Sequence, residues 1–197
     1  MKARNLILIA FMVSGMTALI YEVTWTRSLQ LVFGSTIYAA STMLTAFFGG
    51  FALGSYLLRN AADNSKSPTK LFALLQFSIG IYGLFLVYIF KILTGIYQIL
   101  PDSAIVKFSI AFFILVIPTS LFGGIWPVVY KTYLKTERFG KDAGTLYSVN
   151  SVGAFVGSIG AGFLIIPLLG ITKTIVLASA LNIIFAILVY LGGKNEN

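Results

Sequence analysis

One acidic residue, Glu22, stands well inside a long apolar stretch of this sequence, with Tyr21, Trp25, Thr26, Arg27 and Gln30 around it. A carboxylate in lipid surroundings faces a bundle interior or water and takes a partner. It can hold a cation or a proton, and aromatic rings beside it can cage a cationic amine. It can equally be a structural ion pair or a hydrogen-bonded anchor, with Tyr21 and Trp25 in the aromatic belt at the membrane surface. Arg27 is the nearest cation in sequence. Its spacing from Glu22 is off the three or four residues that align side chains on one helix face, so a partner across helices is an open alternative. Asn150 joins Glu22, Tyr21, Trp25 and Arg27 as a candidate substrate-binding residue. Asn182 and Gln76 are further buried polar candidates. Each of these amides can instead bond a neighbouring helix.

Other chemistry is sparse. There are no histidines and no cysteines, which removes the commonest general base, the commonest metal ligand, thiolate catalysis and disulfides. Gly157-x-x-Gly160-x-Gly162 has the look of a nucleotide loop, but it lies within an apolar span and follows no strand. No Walker motif, paired carboxylate site or nucleophile constellation occurs. The expectation is a protein without enzymatic activity, metal or cofactor.

Composition places these residues in a membrane. Of 197 residues, 58% are hydrophobic and 10% charged, against about a quarter charged in a soluble domain. A net charge of +8 raises nucleic-acid binding, but positive residues also accumulate in cytoplasmic loops of membrane proteins. We expect the second cause and no nucleic-acid partner. The N-terminal Met-Lys-Ala-Arg leads into an apolar run with no small-x-small cleavage site, so it reads as a retained first span and not a cleaved signal.

A spanning helix needs about 20 largely apolar residues. Six runs qualify, at about 5–33, 37–58, 70–93, 104–130, 144–169 and 172–191. The fold class is therefore all-α integral membrane, a single bundle of six transmembrane helices. Glu22 falls roughly 24 Å above Leu6, in the outer third of a core about 30 Å thick. With the N-terminus inside, Lys2, Arg4, Arg59, Lys66, Lys70, Lys131, Lys135, Arg138, Lys141 and Lys194 share one side. Lys91, Lys107, Lys173 and Arg27 share the other, so both termini are expected to be cytoplasmic. Residues 59–69 and 131–142 read as polar cytoplasmic loops, the second lying on anionic headgroups. Residues 94–103 read as a short interfacial segment outside.

Three helices starting inside followed by three starting outside can form an inverted repeat. The second and fifth helices echo each other, with Gly49, Gly50 and Gly54 in one and Gly153, Gly157, Gly160 and Gly162 in the other. Such small residues let helices pack closely. The fourth helix carries Pro118 and Pro127 on either side of Gly123-Gly124, a pattern that predicts a kinked or locally unwound helix, for packing or to line a site.

Three strings, SGMTALIYEVTWTRSL, GSTIYAASTMLTAFFGGFALGSYL, and FGGIWPVVY with GTLYSVNSVGAFVGSIGAGFLIIPLLG, resemble the membrane domain of spermidine-synthase-like integral membrane proteins. That domain is in turn similar to half of a major facilitator transporter. The resemblance covers roughly 13–58 and 116–170, and Tyr21-Glu22-x-x-Trp25-x-Arg27 is its specific part. It implies a multi-pass protein of the plasma (inner) membrane. It also implies a transporter or substrate-binding half-transporter for a small cationic amine such as a polyamine, completed as a homodimer or by a second membrane subunit. The alternative is a non-transporting anchor or scaffold for a separately encoded enzyme or complex. The soluble aminopropyltransferase-like domain common in that family has no counterpart in this sequence, so synthase activity is not expected of it. The facilitator motif between the second and third helices is matched loosely, by Gly54 and Asp63, with Arg59 and Asn64 departing from it.

Overall fold

The computed structural model describes residues 3–99, 103–134 and 138–193. All of the regular structure in them is helical: α1 (Ala3–Phe33), α2 (Thr36–Asn64), α3 (Pro68–Ile99), α4 (Ala104–Tyr133), α5 (Phe139–Ile159), a π-helical segment (Gly160–Ile165) and α6 (Ile166–Gly192). Among the described residues five helical stretches are long and apolar enough to cross a membrane, the last being the 54-residue run Phe139–Gly192. Hydropathy marked only the apolar part of each element. The polar ends stay helical too, because the helix satisfies its own backbone wherever it runs. Thus α2 continues past Leu58, α3 past Leu93 and α5 begins before Gly144, so most of the two expected cytoplasmic loops is helix. Lys2, Lys135 and Lys194, residues 100–102 of the expected interfacial segment and 194–197 of the tail lie outside the described residues.

Two glycines turn the chain. Gly34 (φ 66) links α1 to α2, and Gly170 (φ 79) interrupts α6, both in the left-handed region that only glycine enters readily. The direction of the chain on either side of Gly170 can be read from its neighbours. Met12 and Met16 of α1 lie against Gly153 and Gly157, so α1 and α5 run parallel. Thr17 bonds Asn182 and Tyr21 bonds Ser179, so α6 runs antiparallel to α1 and the chain reverses between them.

α1 touches every other helix, while α2 packs chiefly on α4, and α3 on α6. The tightest crossings are backbone on backbone. A side chain at Gly54 would meet the main chain of Ser120, one at Gly123 that of Phe51, and those at Gly153 and Gly157 the main chain of α1. At Gly50 it would strike Thr119, whose hydroxyl donates to Ala46 O at 2.8 Å. Gly49, Gly160 and Gly162, expected to pack in the same way, do not. The nearest atoms to the first two are at 3.8 Å and Gly162 faces open space. They lie off the stripe that meets the partner helix, two of them in the π segment.

Helix α4 is helical through both prolines and is not unwound between them. Each proline leaves the carbonyl four residues earlier without its helical donor. Tyr82 Oη of α3 donates to Ile114 O at 3.0 Å, and Ser55 Oγ of α2 to Gly123 O at 2.9 Å. The two carbonyls freed by Pro118 and Pro127 are thus capped from neighbouring helices. Gly123 and Gly124 serve close approach to Phe51 and Leu58 of α2, not a break.

Substituting leucine at Gly54 or Gly157 is expected to lower stability in detergent by about 1–3 kcal/mol or more, the range for overpacking. The same change at Gly162 is expected to stay within about 0.5 kcal/mol. Thermal unfolding of the three variants checks this, and equal losses would mean that the crossings are not steric.

Candidate functional site

The candidate residues lie on α1, whose hydroxyls are first satisfied locally. Thr24 donates to Ile20 O, Thr26 to Glu22 O and Ser28 to Thr24 O, the usual back-bonding of Ser and Thr within an apolar helix. Longer side chains then reach the neighbours. Thr17 Oγ1 donates to Asn182 Oδ1 at 3.0 Å, and Tyr21 Oη and Ser179 Oγ share a 2.8 Å hydrogen bond. Gln76 Nε2 reaches Ala10 O at 3.4 Å and Asn150 Nδ2 donates to Phe11 O at 3.0 Å. Gly80 and Gly83 of α3 make room for this seam, since a side chain at Gly83 would meet the hydroxyls of Tyr21 and Ser179.

Tyr21 and Trp25 are fully buried, at 0% and 1% exposure. Their rings stack at 4.7 Å, and Phe122 of α4 meets Tyr21 edge-on at 6.1 Å. They are core side chains between α1, α4 and α6, not a belt at the lipid surface. The indole Nε1 of Trp25 and Oε1 of Gln76 are buried without a hydrogen-bond partner among the described residues.

Glu22 lies beside this core and is half-buried. Its carboxylate has no hydrogen bond or ion pair among the described residues. Arg27 does not pair with it. The guanidinium is exposed and donates to Gln30 Oε1 at 3.3 Å, one turn further along α1. Asn150 sits elsewhere, against Phe11 and Gly15. The five expected site residues therefore do not converge. Tyr21, Trp25 and Asn150 pack between helices, Arg27 is on the surface bonded to Gln30, and Glu22 is the charged residue of the five without a partner among the described residues. Among the described residues no group of three acidic, histidine or cysteine side chains could hold a metal ion.

The Arg4–Asp142 pair was not singled out from sequence, where Asp142 falls in an expected loop. Arg4 Nη2 lies 2.8 Å from Asp142 Oδ1, with the carboxylate side chain 6% exposed. The guanidinium also sits 4.3 Å from the ring centroid of Tyr133, so one side chain ties the ends of α1, α4 and α5. Asp63, which matches the facilitator motif, is engaged through its main chain: its carbonyl accepts from Lys131 Nζ.

With that geometry in view, comparison with protein-family models, curated proteins and solved structures returns no match.

Asn182→Leu would leave the Thr17 hydroxyl without its interhelical acceptor. We expect a loss of about 0.5–2 kcal/mol, the scale of hydrogen bonds between membrane helices, read as a lowered melting temperature in detergent. Wild-type melting would show that the seam does not hold α1 to α6.

Proposed function

We propose that this chain is a membrane transporter, or the substrate-binding half of one, and that Glu22 binds a small cationic amine. The observation that carries the reading is the half-buried carboxylate of Glu22, left without a hydrogen bond or ion pair among the described residues on a helix whose Thr17 and Tyr21 side chains bond across the bundle. An intramembrane charge is costly, and a cationic substrate or a proton would offset that cost. No catalytic step is part of this reading.

The architecture we propose is six crossings with a 3+3 inverted repeat. The 54-residue run is about 80 Å long at the helical rise, far beyond a core of about 30 Å, and its reversal at Gly170 supports two crossings. Exchanging α1 with α4, α2 with α5 and α3 with α6 turns the α1–α5 and α1–α6 pairings into α4–α2 and α4–α3, and all four occur. Ala39, Ala46, Gly50 and Gly54, buried in α2, recur at one constant offset as Leu146, Gly153, Gly157 and Ala161. Facilitator-type transport rocks two such bundles around a shared site, so a homodimer or a second subunit completes the assembly. Arg4, Arg59, Lys66, Lys70, Lys131, Arg138 and Lys141 gather at the end where Arg4 meets Asp142 and Thr69 meets Gly193. The positive-inside rule then puts both termini in the cytoplasm and suits an inner membrane.

The burial of Tyr21 and Trp25 favours a second reading, a non-transporting anchor for a separate enzyme or complex. Labelled spermidine binding to purified protein separates the two. Under the transport reading Glu22→Gln weakens binding at least about ten-fold, as loss of about 1.4 kcal/mol implies, and wild-type protein in liposomes takes the amine up. Binding that is equal in both proteins removes Glu22 from the mechanism. A stoichiometric partner without uptake supports the anchor.

A further inference from the structure

Along the seam between α3 and α6 runs a cleft of about 390 Å³ that opens sideways toward the lipid. It exists because Ala73 and Ala186 are too small to fill the space between the two helices, and Phe77 and Ile187 wall it. Lys70 and Tyr190 stand at its end. Lys70 is half-buried, and its ammonium has no partner among the described residues. Two acidic groups lie at the same end: Asp142 is engaged by Arg4, and the Asp63 side chain, in the last turn of α2, is exposed and makes no ion pair with Lys70. A cation thus overlooks an apolar groove with no carboxylate of the described residues paired to it.

We propose that this groove binds an anionic phospholipid, an acyl chain lying between α3 and α6 and the phosphate on Lys70. A long lysine stem buried in apolar surface delivers its ammonium to the headgroup layer, and basic pockets between helices at the membrane surface suit anionic headgroups. The opposite end of the seam has the same design. Lys91 lines two more clefts, of about 250 and 350 Å³, with Thr172 of α6. By helical rise it stands about 32 Å from Lys70, close to the hydrocarbon thickness of about 30 Å, so each lysine meets one headgroup layer. Lys70 is the preferred site because it lies at the end with the larger share of basic residues. A phospholipid fills the groove and supplies the charge. The inference is independent of any transport activity.

Native mass spectrometry of the purified full chain tests it, with phosphatidylglycerol and phosphatidylcholine offered in equal amounts. Wild-type protein is expected to retain phosphatidylglycerol preferentially. Lys70→Gln should reduce that preference about five-fold, the weight of one lysine near an anionic surface, while Lys141→Gln leaves it unchanged. Ala73→Phe, which fills the groove and keeps the charge, should lose bound phospholipid of both kinds. Circular dichroism checks that each variant is folded, and Lys70→Gln alone decides the question if Ala73→Phe is not. An unchanged preference in Lys70→Gln overturns the proposal. So does displacement of phosphatidylglycerol by inorganic phosphate, which would make the site one for a free anion.

Discussion

The bundle depends on main chain meeting main chain across glycine. In lipid, apolar side chains gain nothing by leaving one apolar medium for another, so helices associate through close contact and interhelical hydrogen bonds. Gly153 and Gly157 let α5 lie on the backbone of α1, and Gly54 and Gly123 do the same for α2 and α4. Steric contacts of this kind fix the register of each pair. Register then decides which polar groups meet. It brings Asn150 to Phe11 O and Arg4 to Asp142 in one pair, and Ser55 to Gly123 O and Lys131 to the Asp63 carbonyl in the other.

Much of this could be anticipated from residue types. Apolar runs located the helices, because lipid leaves the backbone no alternative to internal hydrogen bonding. Helix ends were missed by several residues, since a polar helix end looks like a loop to a hydropathy argument. The stripe of glycines was visible, but which of them touch a partner was not. Gly49 and Gly50 are adjacent and point in different directions, and only the crossing geometry distinguishes them. The proline pair was legible as an interruption of the hydrogen-bond ladder. That Tyr82 and Ser55 would mend it depends on tertiary placement, which no local pattern carries.

The candidate site was legible by residue type and not by arrangement. The string from Tyr21 to Arg27 looks like a cluster when written out, but a helix distributes it around its circumference. Tyr21 and Trp25 turn inward to the core, Arg27 turns outward, and Glu22 falls between. The polar seam of Thr17, Ser179 and Asn182 needed two helices far apart in sequence to meet. It ties α1 to α6, as the glycines tie α1 to α5, and leaves Glu22 as the acidic side chain of α1 without a partner among the described residues.

The capping of α4 also bears on how the protein is made. A chain is synthesised from its N-terminus, and a carbonyl stripped of its donor by proline costs several kcal/mol in hydrocarbon. Both donors, Ser55 and Tyr82, precede the acceptors Gly123 and Ile114 in the chain. When α4 enters the bilayer, the helices that complete its hydrogen bonding are already there. The order of the helices along the gene thus doubles as an assembly sequence, and a permutation that put α4 first would send two bare carbonyls into the membrane ahead of their partners.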